Sequence, residues 1–353
     1  MSILDDINKI ISKHYFNNDA VENVSSKYEI KDCSKGCDNN VFAITFKHDS
    51  SRIIIRKPKS IDCDTPAMHT PLMQSIVMKL YASVGVSVPS LIFLDENDEY
   101  SIETYMPEND LGEIYIKPTD MNDVDKQNIF THIGRELGKM HSIKTCGYGD
   151  IKYYSKSSND GDTPQLEGNL TEWIQFFNQD VPDQIESCLK NDYYLLNILQ
   201  HYASVDQVVN DLHSLFNQAK QYLLSFNQPC LVHADVCSNN IRVSKESISD
   251  GTVTSLKYIG LIDFADGKSG DGLYDIGRIL HHVYGDWSFI ECIEQGYFQG
   301  DNSGKFSIDQ QRIIVFYALS FCIWLLDISE NNQEIIKYNT ILNNLLKLYR
   351  KMK

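Results

Sequence analysis

The chain has 353 residues, of which 42% are apolar and 23% charged, and carries a net charge of −16 at neutral pH. That length suits two domains or one large domain with two lobes, and the composition is ordinary for a soluble globular protein. The acidic balance argues against a nucleic-acid binder, which needs a basic patch, and fits either a cationic partner or charge carried for solubility.

The N-terminal stretch MSILDDINKIISKHYF places Ile3, Leu4, Ile7, Ile10 and Ile11 at helical spacing and predicts an amphipathic helix over 3–13. Its acids stand where a secretory signal would be basic, so a cytoplasmic protein is expected. Three strand-like runs follow, KYEIKDC (27–33), VFAITFKH (41–48) and RIIIRK (52–57), separated by the turn-rich pieces SKGCDNN and DSS. They predict strands. A helix over about 71–84 ends before GVSVP, and SLIFLD (90–95) and EYSIETYM (99–106) predict two more strands around the turn ENDE.

Beyond Met106 the periodic segments read as helices over about 123–143, 172–190, 205–226, 308–328 and 333–351. The apolar stretch Ile313–Leu326 is shorter than the ~20 residues that span a bilayer, which predicts a buried helix and no membrane contact. The segment SKSSNDGDTPQLEGN at 155–169 predicts a mobile loop. Together these elements predict an α+β fold, with a small antiparallel-sheet lobe over 1–106 and a larger, mainly helical lobe over 107–353. Nine cysteines without a CxxC pair fit reduced thiols rather than a disulfide framework or a zinc site. No pattern decides the oligomeric state, and a monomer is favoured.

Two strand-like runs interrupt the helices, and chemistry concentrates there. In CLVHADVCSNNIRV (230–243) an apolar run halts at His233 and Asp235, and alternation resumes after Asn240. In SLKYIGLIDFADGKSGDGLYDIG (255–277), Asp263 stands at the exit of a buried strand, followed by Asp266, Asp271 and Asp275. Asp275 also suits the first turn of a helix, and Asp271 within GDG also suits a turn. Asp263 is harder to explain structurally, because a buried unpaired carboxylate is costly. An Asp able to accept a hydroxyl proton, with an Asn carbonyl and a second Asp able to hold Mg²⁺ through oxygen, is the equipment that phosphoryl transfer asks for.

On LVHADVCSNN and LIDFADGKSGDGLYDIG, and more loosely CGYGD (146–150) and LTEWIQFF (170–177), the chain resembles the aminoglycoside phosphotransferase and choline kinase-like family of small-molecule kinases. The likeness is greatest to the hygromycin B phosphotransferases. The resemblance implies a protein-kinase-like two-lobe fold and a nucleotide site in the small lobe. It makes Asp235 the catalytic base and Asn240 and Asp263 the Mg²⁺ ligands. His233 would brace the loop, and Asp275 would hold it structurally. Arg56 falls where the family has its phosphate-pairing base, with Ser34, Gly36 and Asn39 in the phosphate-covering turn. Glu103, Tyr105 and Met106 fall in the hinge that meets the purine, and Ile262 is expected beside the nucleotide.

In the large lobe, Asp266, Asn239 and Asp271 are expected at the acceptor. Trp173 fits core packing better than a sugar contact. The implied reaction uses ATP or GTP with Mg²⁺ and a small, hydroxylated, cationic acceptor, hygromycin-like aminoglycosides leading, with a role in antibiotic resistance or in metabolism. One departure stands out. Kinases pair the third-strand base with a helix Glu, yet no acid occurs between Thr65 and Leu94. Gln74 is the expected substitute, and the gap leaves open a catalytically weak nucleotide-binding regulator on the same fold.

Overall fold

The structure is a computed structural model that describes residues 2–17, 25–34, 39–59, 67–106, 109–115, 117–155, 165–178, 204–247, 254–298 and 304–352. The chain divides into two compact units, one of residues 1–79 with 88–106, the other of 80–87 with 107–353.

The first unit opens with α1 (Ile3–Tyr15), started by a capping box in which Ser2 and Asp5 bond each other's backbone N–H. Strands β1 (Tyr28–Asp32), β2 (Asn39–Phe46), β3 (Arg52–Pro58), β4 (Leu91–Leu94) and β5 (Ser101–Thr104) form an antiparallel sheet in the order β1-β2-β3-β5-β4. Helix α2 (Pro71–Ser83) lies between β3 and β4 in the chain and starts where the Asp98 carboxylate accepts from Leu72 N at 2.6 Å. Ile7 and Ile11 of α1 join Ile44, Ile53, Ile55 and Ile102 in one buried cluster.

Alternation along β3 then separates two adjacent cations. Lys57 shares the parity of Ile53 and Ile55 and reaches Asp6 of α1 at 3.0 Å. Arg56 takes the opposite face, and the register Arg56↔Ser101 and Ile54↔Glu103 puts both β5 residues there with it.

The second unit has three strands in the order β11-β10-β6 and four in the order β8-β7-β12-β9. They are β6 (Asn109–Asp110), β7 (Tyr148–Ser155), β8 (Gln165–Leu170), β9 (Cys230–Val232), β10 (Ile241–Ser247), β11 (Thr254–Leu261) and β12 (Lys268–Gly270). Its described helices are α3 (Leu111–Ile114), α4 (Asp123–Met140), α5 (Gln175–Asn178), α6 (Val205–Ser225), α7 (Leu273–His282), α8 (Trp287–Tyr297), α9 (Ile308–Ile328) and α10 (Asn332–Lys351).

Helices α4 and α8 meet backbone to backbone. A Cβ at Gly134 would collide with the Ile293 backbone, and one at Gly296 with that of Thr131. Helix α9, at 21 residues, is long and apolar enough by composition to cross a bilayer, which the shorter apolar stretch did not predict. Here Ile313–Ile323 is buried throughout, and the helix packs on α7 and α10 as a core element.

The hairpin β7–β8 occupies both ends of the segment expected to be a mobile loop, whose residues 156–164 lie outside the described residues. So do residues 179–190 of the helix expected over 172–190. Helix α8 has no counterpart among the sequence expectations.

Candidate active site

The segment 233–240 is the loop between β9 and β10, and the hairpin β10–β11 returns the chain beside it. Ile262 N donates to Asn240 O at 3.0 Å, and His233 Nε2 donates to Ile262 O at 3.1 Å. Because that carbonyl can only accept, Nε2 carries the proton, and His233 Nδ1 is left to accept from Asp235 N at 3.3 Å. His233 is fully buried and so ties the Asp235 backbone to the strand that delivers Asp263. Both Ala234 (φ +64°) and Asp263 (φ +66°) hold the left-handed conformation, a cost of about 1 kcal/mol each for a residue with a Cβ.

A single carboxylate offsets that cost on the β9 side. Asp275, buried in the first turn of α7, accepts from His233 N (Oδ2, 2.9 Å) and Ala234 N (Oδ1, 2.7 Å). It also pairs with His141 Nε2 at 3.1 Å, while His141 Nδ1 lies 3.0 Å from the Tyr297 hydroxyl. Burial alone would raise the Asp275 pKa, but the bond and charge of His141, with the His233 contacts, hold it below the ordinary carboxylate value. His141 was not among the expected site residues. A Cβ on Gly272 would collide with its ring, so the second glycine of GDG is needed for this close approach.

Asp235 is about a quarter exposed, at 26% of its side-chain surface, and both carboxylate oxygens are engaged. Arg278 donates to Oδ1 at 2.8 Å, and Asn240 Nδ2 donates to Oδ2 at 2.8 Å and to the Asp235 carbonyl at 2.9 Å. Burial is the largest influence and pushes the Asp235 pKa up, but the charge and hydrogen bond of Arg278 together with the nearby His282 and His233 outweigh it, and the net shift is downward. His282, also nearby, is neutral at pH 7, since burial and Arg278 lower its pKa to about 3. Arg278 also lies over the Phe321 ring, 3.2 Å from its centroid. Arg278 was missed in the sequence, although its place one helical turn beyond Asp275 was a usable signal.

The Asn240 amide has a fixed sense. Both atoms facing its nitrogen are acceptors, so Oδ1 is the atom left for a ligand. Ile262 N bonds Asn240 O and Asp263 follows directly, and an amide oxygen and a carboxylate are donor types that a Mg²⁺ ion takes.

The expected acceptor residues divide. Asn239 is exposed, and its Oδ1 would lie 2.5 Å from a Cβ on Gly112, whose N–H holds Ser238 O at 3.0 Å. Asp266 is exposed at the surface, yet the protein mass around it, and then the Asp235 charge, raise its pKa. Asp271 does not face an acceptor. It is buried, its Oδ2 accepts from Tyr222 (3.0 Å) and Tyr317 (2.8 Å), and its Oδ1 accepts from Leu273 N (3.0 Å). Trp173 is core: fully buried, it donates to Tyr317 OH at 2.8 Å and lies where a Cβ on Gly270 would come within 2.7 Å of its ring.

In the first unit, Arg56 Nε lies 3.3 Å from Glu103 Oε1, which also accepts from Ser101 Oγ at 2.8 Å. Glu103 is almost fully buried and sits in the sheet between β3 and β4, so its side chain partners Arg56 and its backbone serves the ladder. The acid missing from α2 is therefore supplied by β5. Gln74 is buried, and its Nε2 has no hydrogen-bond partner among the described residues.

Tyr105 and Met106 follow the end of β5, with Arg52 over the Tyr105 ring at 5.2 Å. Ser34 Oγ accepts from Val41 N at 2.9 Å, and Asn39 is buried with Oδ1 unpartnered among the described residues. Gly36 lies outside the described residues.

The family model for phosphotransferase enzymes matches residues 29–306. No curated protein sequence matches the chain. Similar solved structures include a thermostable mutant of aminoglycoside phosphotransferase APH(4)-Ia in ternary complex with AMP-PNP and hygromycin B, at 15% identity and a TM-score of 0.53, covering 97% of this chain and 98% of that one. An ethanolamine kinase of Plasmodium vivax (14% identity, TM-score 0.53) covers 98% of this chain and 89% of its own. A choline kinase of Cryptosporidium parvum (14%, TM-score 0.52) covers 99% and 95%.

At these identities the likeness is one of fold: an α+β, protein-kinase-like arrangement with an N-terminal sheet and a mainly helical remainder. The family match spans most of the chain, and the chain belongs to the phosphotransferase enzyme family.

Proposed function

We propose that the protein transfers the γ-phosphate of ATP or GTP to a hydroxyl of a small, cationic molecule. The observation that carries this reading is the Asp235 carboxylate, part-exposed on a braced loop and bonded by Asn240 through the amide nitrogen. Asp235 accepts the proton of the acceptor hydroxyl as the new O–P bond forms and the bond to the leaving nucleotide diphosphate breaks. Asn240 Oδ1 and the Asp263 carboxylate are the residues that would hold Mg²⁺, which when bound neutralises phosphate oxygens. Arg56, held by Glu103, would pair with a nucleotide phosphate, and Tyr105, Met106 and Ile262 would border the purine. Asp266 and Asn239 would meet the acceptor, Asp266 through an amine. That an aminoglycoside phosphotransferase of this fold holds hygromycin B supports aminoglycosides as first candidates, with amino alcohols such as choline and ethanolamine next.

A second reading, a nucleotide-binding regulator that turns over poorly, is favoured by one contact. Arg278 on the Asp235 carboxylate lowers the basicity of the proposed base. Turnover of ATP and GTP against a panel of aminoglycosides and amino alcohols decides between the two. Acceptor-dependent release of nucleotide diphosphate is the expected result. Tight Mg-nucleotide binding without turnover on any acceptor would instead establish the regulator.

The nucleotide side has its own test. Arg56→Ala is expected to raise the nucleotide KM by about tenfold or more, the size of a charge-assisted bond to phosphate. Glu103→Gln should move KM the same way by less, because Arg56 keeps its charge and loses only its anchor. An unchanged KM in both variants would remove Arg56 from the nucleotide site.

A further inference from the structure

One cluster of ligand atoms on the loop has only a single member in the proposed transfer. A ring nitrogen of His282, Sγ of Cys237 and a carboxylate oxygen of Asp235 lie within 4.8 Å of one another. His282 Nε2 is buried with no hydrogen-bond partner among the described residues, a condition that native interiors seldom leave unexplained. Cys237 Sγ is 3.8 Å from Asp235 Oδ2. A small, mainly apolar cavity lined in part by Val236, Cys237, Ile241, Ile279 and His282 adjoins the cluster.

Sulfur, imidazole nitrogen and carboxylate oxygen together suit Zn²⁺, with three protein ligands and an open fourth position. They do not suit Mg²⁺, which takes oxygen. Asp235 Oδ1 meanwhile keeps Arg278 at 2.8 Å, and such an outer hydrogen bond commonly orients a metal-bound carboxylate. The same guanidinium charge sets the affinity below that of a four-ligand structural site.

We infer that Cys237, His282 and Asp235 form a site for a thiophilic divalent cation, Zn²⁺ foremost, whose occupation withdraws Asp235 from the acceptor hydroxyl and stops turnover. Binding needs no redox partner. The thiol proton leaves to solvent, and Cys237 Sγ, His282 nitrogen and one Asp235 oxygen each donate an electron pair to the metal. Asn240 gives up its bond to Oδ2. The metal site stands on the cluster alone, whereas its inhibitory effect rests on the reading of Asp235 as the base.

Co²⁺ added to the full chain in excess Mg²⁺ tests the site by absorption. The expected result is a thiolate-to-cobalt charge-transfer band that Zn²⁺ abolishes by displacement. Cys237→Ser should lack the band, and His282→Gln should need at least about tenfold more Co²⁺ to develop it. No band in the wild type, or an undiminished band in Cys237→Ser, overturns the site. In the kinetic arm, Zn²⁺ should inhibit the wild type, and Cys237→Ser should need about tenfold more for the same fractional loss of its own rate. Equal inhibition of both overturns the regulatory role. The absorption arm decides the metal site even if no acceptor is phosphorylated, so the two failures are distinguishable.

Discussion

Asp235→Asn is expected to lower kcat for phosphoryl transfer by about 10²- to 10⁴-fold, the span over which a positioned general base contributes. Mg-nucleotide affinity should stay at the wild-type level, because the amide keeps one acceptor oxygen for Asn240 Nδ2 and the Asn240 and Asp263 oxygens are untouched. Single-turnover kinetics with equilibrium nucleotide binding separates the two quantities. Turnover at the wild-type rate would remove Asp235 from the chemistry. The Arg278 contact adds a pH expectation. A carboxyl held below its ordinary pKa stays ionised at neutral pH, so the acid limb of the rate profile that belongs to Asp235 should lie below the usual carboxylate range.

The largest stability effect is expected at Asp275. Asp275→Ala strands the His233 and Ala234 N–H groups and the His141 imidazole in a buried site at once. Removing one member of a buried charged network typically costs about 3–5 kcal/mol. In a unit of this size that lowers Tm by roughly 10 °C. The sign of the pH dependence follows from the depressed pKa: the folded state binds fewer protons than the unfolded state through the acid range. The Asp275 contribution is thus complete above the ordinary value of about 4 and is lost as pH falls through the lower folded value. Denaturant unfolding of wild type and variant should show a stability gap that is constant near neutrality and closes in acid. A gap that widened in acid would contradict the assignment.

Much of the architecture was legible because its signals are local. β3 announced itself by a short β-branched run between turns, and α9 by a long, mostly apolar run. The acidic and amide residues of the loop after β9 stood out because polar groups interrupted a buried pattern. The hairpin β7–β8 was hidden for local reasons too. Gly149 takes a left-handed φ of +79°, and the pairing slips between Tyr148, Ile151 and Tyr153, so the residues do not alternate as a plain strand does.

What stayed illegible in the site was long-range. His141 ends a helix and reads as an ordinary C-terminal cation, and only the fold brings it to Asp275. Asp271 was expected at the acceptor, or in a turn, because the two tyrosines that bury it come from α6 and α9. Glu103 reaches Arg56 through the β3–β5 register, a long-range pairing that neither strand's own pattern reveals.

The two cations of β3 also bear on which changes of chain length this protein tolerates. Arg56 and Lys57 differ little as charges, and what tells them apart is the side of the sheet on which each emerges. A substitution at either one disturbs that residue's own contacts. Inserting or deleting a single residue between Ile53 and Arg56 would exchange their sides, while a change of two would restore the facing. Natural and engineered length variation should therefore collect in the turn at 47–51 and be absent, or come in pairs, inside the strand itself.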